Sequence, residues 1–412
     1  MGQRGTTDVL GATTEFEPDV MDLLVETLRR AVRRELPAVG TDTLLGELVL
    51  GDTDAGAALA PGMRKAGSLS GRIAAMAGNG WVSDDEVRGE PVDVDLDADA
   101  DADIREVDAV WREAGWRFGL TGRRSDADGD RALPGMTGAL RVCLLRALGA
   151  ARAEGTISVR CRHVARALLE LPDSRAREAL TLERLDPSAA ATALDALDAG
   201  APAETQRPES RGVILLRQAG TLGKSGNWLT RGLMSWTSGS SVNGSPVVFA
   251  VTIEAMRQAV RCGRAVVEPV DLLLGTLALD RALSVAGRAL PEKLADANAA
   301  PELLRRHGVR QVSLVASATD TPPAAVPGGD GEGADLLRSA AADRIVAVAR
   351  LSAAEHGSPT VGTVHLLAAL LDEAAPEAGA GVGGGGTVVR LLTADKVDVA
   401  ALRAELNLGP GA

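Results

Sequence analysis

Four stretches of this chain carry the same ladder of small residues stepped every fourth position, and each ladder runs into a leucine-rich segment. In the fourth stretch Ala349, Ala353 and Gly357 lead to Val361 and His365, then Leu366-Leu367 and Leu370-Leu371. The second sets Ala147, Ala151, Gly155, Val159 and His163 at the same steps before Val164-Ala165 and Leu168-Leu169. The third reads Ala255, Ala259, Gly263, Val267, Asp271, Leu272-Leu273 and Leu277. The first keeps the register as Thr27, Ala31, Glu35, Val39, Thr43, Leu44-Leu45 and Leu48-Val49, with Thr and Glu in place of Ala and Gly. No gap is needed to align them, which marks an internal repeat.

Such a unit has a readable physics. Small residues four apart lie nearly in line on one helical face and let a neighbouring helix come close. The glycine is suited to the left-handed turn that stops a helix. Thr41 and Thr363 are placed to cap a second helix, Pro269 suits its first position, and the Leu-Leu spacing gives it a broad buried face. A block of about 60 residues buries only ~60% of its surface alone, so blocks should pair. The expected fold is all-α: two tandem helical domains, each a pseudo-twofold pair of four-helix repeats.

Composition fits that expectation. Aromatic residues are 2% of the 412, with no tyrosine, so the cores must be built from Ala, Leu and Val. The formal charge of −12 argues against a general nucleic-acid binder, which presents basic faces to phosphate. Cys143, Cys161 and Cys262 lie far apart, which suits a reducing cytosol rather than a disulfide scaffold. No apolar run approaches the ~20 residues needed to cross a bilayer. Residues 1–14 lack the basic and apolar regions of a signal peptide, and the Ala/Gly/Arg/Asp bias is that of a high-GC bacterial gene. The expected location is the cytoplasm.

Polar and glycine-rich stretches separate the blocks. Residues 1–15 read as a flexible tail. Domain one spans 16–198, from repeats 16–78 and 137–198 with an insertion at 79–136. Residues 199–245 read as a basic Gly/Ser-rich linker, and domain two spans 246–408, from repeats 246–316 and 334–408. Within the insertion, aspartates at every second position from Asp93 to Asp103 are self-repelling. They precede Ile104, Val107, Trp111, Ala114 and Phe118, at the spacing of a helix docked on domain one.

The unit resembles the Clp N-terminal domain, the repeat module that precedes the ATPase rings of Clp unfoldases. The closest copy of the family phrase is Thr360-Val361-Gly362-Thr363-Val364-His365-Leu366-Leu367, and Asp395 to Leu406 is similar to the family's closing helix. The resemblance implies two eight-helix domains in tandem that bind peptides, adaptor proteins of the Clp system, or cyclic peptide natural products that target it. No Gly-x-x-x-x-Gly-Lys-[Ser/Thr] loop is present; Gly223-Lys224-Ser225 has Gln218 where the leading glycine must stand. The expected protein is therefore a recognition part without an ATP motor, with no enzymatic activity and no cofactor.

In the family some members read phosphoarginine with a Thr at the start of the first helix and a Glu just before the conserved His. The resemblance carries the first position onto Glu17, Thr137, Ser245 and Ser339, and the second onto Asp42, Arg162, Val270 and Val364. No block keeps both residue types. Val cannot read a guanidinium and Arg162 repels one, so the pocket is expected to have been rewritten.

His163 and His365, at matching positions, are expected to be structural, since Asp271 and Thr43 replace them elsewhere. Cys161 two before His163 raises a nucleophile-pair reading, but neighbouring side chains at a helix start point around its axis. Asp126, Asp128 and Asp130 do not match a calcium loop. From Ser210 to Ile253 there is no acid, while Arg211, Arg217, Lys224 and Arg231 add +4. With Val213 to Leu216, Trp228, Leu233 and Trp236, that stretch can fold back on the acidic domains, hold a partner, or lie on an anionic membrane surface.

Overall fold

The computed structural model describes residues 12–51, 53–62, 67–76, 80–83, 85, 98–121, 133–199, 207–222, 245–319, 336–373 and 386–406. Its regular structure is overwhelmingly helical, and the chain divides into two compact units, Thr14–Gln206 and Arg207–Ala412 together with Met1–Thr13.

The first unit runs β1 (Glu15–Phe16), α1 (Pro18–Arg33), β2 (Ala38–Val39), α2 (Thr41–Leu50), α3 (Asp54–Leu59), α4 (Ser68–Met76) and α5 (Ala98–Thr121). It continues with β3 (Gly135–Met136), α6 (Gly138–Ala153), β4 (Ser158–Val159), α7 (Cys161–Glu170), α8 (Arg175–Leu182) and α9 (Pro187–Ala199). The second holds α10 (Arg211–Gln218), α11 (Pro246–Arg261), α12 (Pro269–Val285), a 3-10 turn over Glu292–Asn298, α13 (Ala300–Arg306) and α14 (Gln311–Thr319). It ends with α15 (Ala340–Glu355), α16 (Thr363–Leu371), α17 (Thr387–Ala394) and α18 (Val399–Leu406).

The four ladder helices α1, α6, α11 and α15 are each 16 residues long. Their small residues are sealed: Thr27, Ala31, Ala147, Ala151, Ala255, Ala259 and Ala349 have no exposed surface. The steric purpose is visible where α11 meets α12. A methyl on Gly275 would lie 2.6 Å from the Val251 carbonyl oxygen and 2.7 Å from the Ala255 nitrogen, so the two backbones touch.

Each ladder helix stops in the same way. Gly155, Gly263 and Gly357 adopt positive φ, and so does Glu35, at 53°, where the glycine is missing. The amide after each of these residues reaches back to the carbonyl five residues earlier: Leu36 to Ala31, Thr156 to Ala151, Arg264 to Ala259, Ser358 to Ala353. That is the Schellman closure, which satisfies carbonyls the helix itself leaves open.

In the first unit the blocks exchange short parallel strands. β1, before α1, pairs with β4, before α7, in the register Glu15↔Ser158. β2, before α2, pairs with β3, before α6, in the register Ala38↔Gly135. In the second unit Val267, before α12, bridges in parallel to Arg338, before α15. The start of one block's second helix therefore lies beside the start of the other block's first.

α5 docks on α1 and α6 through Val107, Val110 and Ala114, all fully buried, with Trp111 and Phe118 packed against the same core. Asp99, Asp101 and Asp103 lie inside this helix, and Asp103 and Asp108 form ion pairs with Arg152 and Arg141. Like-charge repulsion in the aspartate run is thus partly neutralised by α6. Asp93, Asp95 and Asp97, and the 126–130 run, fall outside the described residues.

The linker expected at 199–245 needs correction. Residues 211–218 form α10, capped by the Ser210 hydroxyl and packed on α11, and Val213 and Leu216 are fully buried in the second unit's core. The unit boundary accordingly falls at 206–207 rather than at 245. A short apolar cluster inside a glycine-broken basic stretch concealed the helix.

Candidate binding cleft at three helix N-termini

The residues assigned to first-helix starts are N-caps in all four cases. The hydroxyls of Thr137, Ser245 and Ser339 accept the amides of Leu140, Val248 and Ala342. Glu17 makes no side-chain cap of its own helix, while its amide donates to the Val159 carbonyl across the strand exchange.

The second positions follow strand exchange rather than block membership. Sorting residues by block separates Thr137 from Asp42, but β2–β3 pairing brings the Thr137 amide within 3.0 Å of the Val39 carbonyl, beside the start of α2. Thr137 therefore stands beside the start of the helix that carries Asp42, although the two belong to different blocks. Arg162 points elsewhere and pairs with Glu154 at 2.6 Å. The Ser339 amide donates to the Val267 carbonyl, next to the helix that carries Val270.

Beside Thr137 and the start of α2 stands a residue that sequence reasoning missed. Asp85 has no exposed surface. One carboxylate oxygen accepts the Thr41 amide at 2.6 Å and the Thr137 hydroxyl at 3.3 Å. The other accepts the Thr41 hydroxyl at 2.8 Å and the Arg175 amide at 2.9 Å. The Asp85 carbonyl takes the Ala139 amide. Free amides at the starts of α2, α6 and α8 thus converge on one acidic residue, where helix dipoles favour negative charge. A single Asp in a polar stretch gives no periodic signal that marks it.

The cleft holds a second acid. Asp42 is 6% exposed, and its Oδ1 is buried without a hydrogen-bond partner. Burial and the neighbouring Asp85 carboxylate raise its carboxyl above the ordinary value, against the pull of Arg175. Gly40 makes room for both: a methyl there would collide with Asp42 Oδ1 and lie 2.8 Å from Asp85 Oδ2. Arg175 Nε is likewise buried and unpartnered.

Elsewhere the side chains singled out in the sequence are engaged locally. His163 Nδ1 accepts the Arg160 amide at 2.9 Å and His365 Nδ1 the Gly362 amide at 3.0 Å, so each ring caps its own helix. Asp271 does the same for the Glu268 amide. The Cys161 thiol is pushed well up by burial and by Asp19, the reverse of nucleophile activation. Arg217 pairs with Glu209 at 2.8 Å. Lys224, Trp228, Arg231 and Trp236 lie outside the described residues. Among the described residues no group of three or more His, Cys, Asp or Glu is placed to hold a metal ion, and no helix is long and apolar enough to cross a membrane.

Comparison with protein-family models, with curated proteins and with solved structures finds no match to this chain.

Proposed function

We propose that this chain is a non-enzymatic peptide- and protein-binding molecule built from two tandem Clp N-like domains. It acts as an adaptor or decoy that modulates Clp-dependent proteolysis or sequesters peptides aimed at Clp. The observation that carries this reading is the fourfold unit: a 16-residue ladder helix, a seven-residue connection and a second helix, present at α1–α2, α6–α7, α11–α12 and α15–α16. Crosswise strand pairing supports a pseudo-twofold relation between the blocks of each unit. The absence of a phosphate-binding loop from the sequence supports recognition without a motor.

A membrane-surface role for 210–253 gains no support from α10, because Val213 and Leu216 are spent in the core and cannot also insert into lipid. Titration calorimetry of the purified chain against Clp adaptors and unfolded peptides tests the binding proposal. Saturable heats support it, and no binding to either class retires it.

A further inference from the structure

We propose that the cleft at Thr41, Thr137 and Arg175 is a receptor for an acidic side chain of a partner polypeptide, and that Asp85 fills it as a stand-in from within the chain. The inference goes beyond the adaptor-or-decoy reading and rests on the cleft's own geometry.

Four donors on three elements surround one carboxylate: two amides at 2.6 and 2.9 Å and two hydroxyls at 2.8 and 3.3 Å. Three helix starts aimed at one point select for negative charge and need no particular chain to supply it. The occupant that is present leaves the site unfinished. Asp42 Oδ1 and Arg175 Nε remain buried without partners beside it. Orphaned buried polar atoms are costly and mark places where a further group belongs. A peptide that brings an Asp or Glu side chain together with its own amide N–H would meet the Asp85 donors and the Asp42 acceptor at once.

Asp85 is also mounted so that it can leave. At the equivalent start of α7 the carboxylate comes from Asp19, whose Oδ2 accepts the Cys161 amide at 3.3 Å. Asp19 has its backbone fixed in the first turn of α1. At the equivalent place in α6 stands Ala139, and the acid comes instead from Asp85, outside any helix. Trp81 packs against the core, and beyond it Val82 is 92% exposed and Ser83 half-buried. The latter two are held there by Glu178 of α8, which accepts the Ser83 amide at 2.8 Å and the Val82 amide at 3.1 Å. Glu178 is thus a latch outside the receptor.

Two experiments on the full chain test this. In the first, sodium acetate is titrated against sodium chloride at equal ionic strength, and the melting temperature is followed for the parent and for Asp85→Ala. Acetate should raise the melting temperature of Asp85→Ala and leave the parent unmoved, by mass action on an emptied site. A folded Asp85→Ala chain that does not respond overturns the proposal.

The second decides alone if Asp85→Ala fails to fold. The acetylated peptide Val-Ser-Asp-Asp-Glu-Val, copied from residues 82–87, is titrated into the parent and into Glu178→Ala. Loosening the latch enlarges the competent fraction, so the peptide should bind Glu178→Ala more tightly than the parent. The same peptide with Asn in place of Asp85 should lose that binding. Equal binding of the two peptides, or none, overturns the receptor. Because neither arm contains a Clp component, its failure is separable from failure of the adaptor reading.

Discussion

Arg264 and Asp271 form a buried ion pair, with Arg264 Nε 3.0 Å from Asp271 Oδ2 and Nη1 2.8 Å from the Ala318 carbonyl oxygen. Asp271 also takes the Glu268 amide, so one carboxylate caps α12 and neutralises the guanidinium that follows the helix stop at Gly263. In the fourth block the same two positions hold Ser358 and His365, whose Oγ and Nε2 lie 3.2 Å apart. In these two blocks, the third and the fourth, the stop of the first helix is thus tied to the cap of the second by a polar pair. Asp271→Ala leaves a buried cation and an open amide, and should cost about 3–5 kcal/mol in urea denaturation. Importing the other pair, Arg264→Ser with Asp271→His, should lose less than the two single changes summed, with a coupling of about 0.5–3 kcal/mol.

Glu35 stands where three other blocks use glycine, at a φ of 53° that costs an L-residue about 1–2 kcal/mol. Glu35→Gly should raise stability by up to about 1 kcal/mol, since glycine returns part of the gain through its freer unfolded chain. The reciprocal Gly155→Ala meets no atom within 4 Å and therefore isolates the backbone term. It should lower stability by about 1–2 kcal/mol. Paired denaturation midpoints read both.

Gly275→Ala tests the close approach of α11 and α12. Its methyl would meet backbone atoms of Val251 and Ala255, which cannot rotate away as a side chain would. The helices must separate, at a cost of about 1–3 kcal/mol or more. Gly149→Ala, on the open side of α6, meets nothing within 4 Å and should stabilise by about 0.4–1 kcal/mol.

Asp42 supplies a pH signature. Burial and Asp85 raise its carboxyl pKa in the folded state, so ionisation works against folding. The sign follows from linkage: its contribution is fully present below the unfolded value of about 3.9, and is lost as pH rises through the folded value. Asp42→Asn, which never ionises, should therefore be more stable than the parent at pH 7. That advantage should shrink as pH falls toward 4. A difference that stays constant across this range would contradict the assignment.

The ladder helices and their stops could be read from the chain because each depends on local spacing, whereas Thr41 and Thr363, expected to cap the second helices, are their first helical residues and follow Gly40 and Gly362. Ala147, Ala151 and Gly155 carry their role in their positions, and Thr137, Ser245 and Ser339 bond within three residues of themselves. What escaped is tertiary. The pairing of Thr137 with the start of α2 depends on strands exchanged between blocks more than ninety residues apart, as in Ala38↔Gly135. Asp85 acts through donors 44 and 90 residues away, and no periodicity announces it. α10 was hidden because its buried residues, Val213 and Leu216, lie a single turn apart in an eight-residue helix, within a stretch otherwise punctuated by glycine and serine.

Degradation of an adaptor-delivered substrate by a reconstituted Clp unfoldase–protease, measured with increasing amounts of this purified chain, bears most directly on the proposed role. Competition for adaptor or peptide predicts that the degradation rate falls in a saturable way. It also predicts that the Clp machine's breakdown of adaptor-independent peptides is spared. A degradation rate unchanged at every concentration, in an assay where adaptor dependence has been verified, would contradict it.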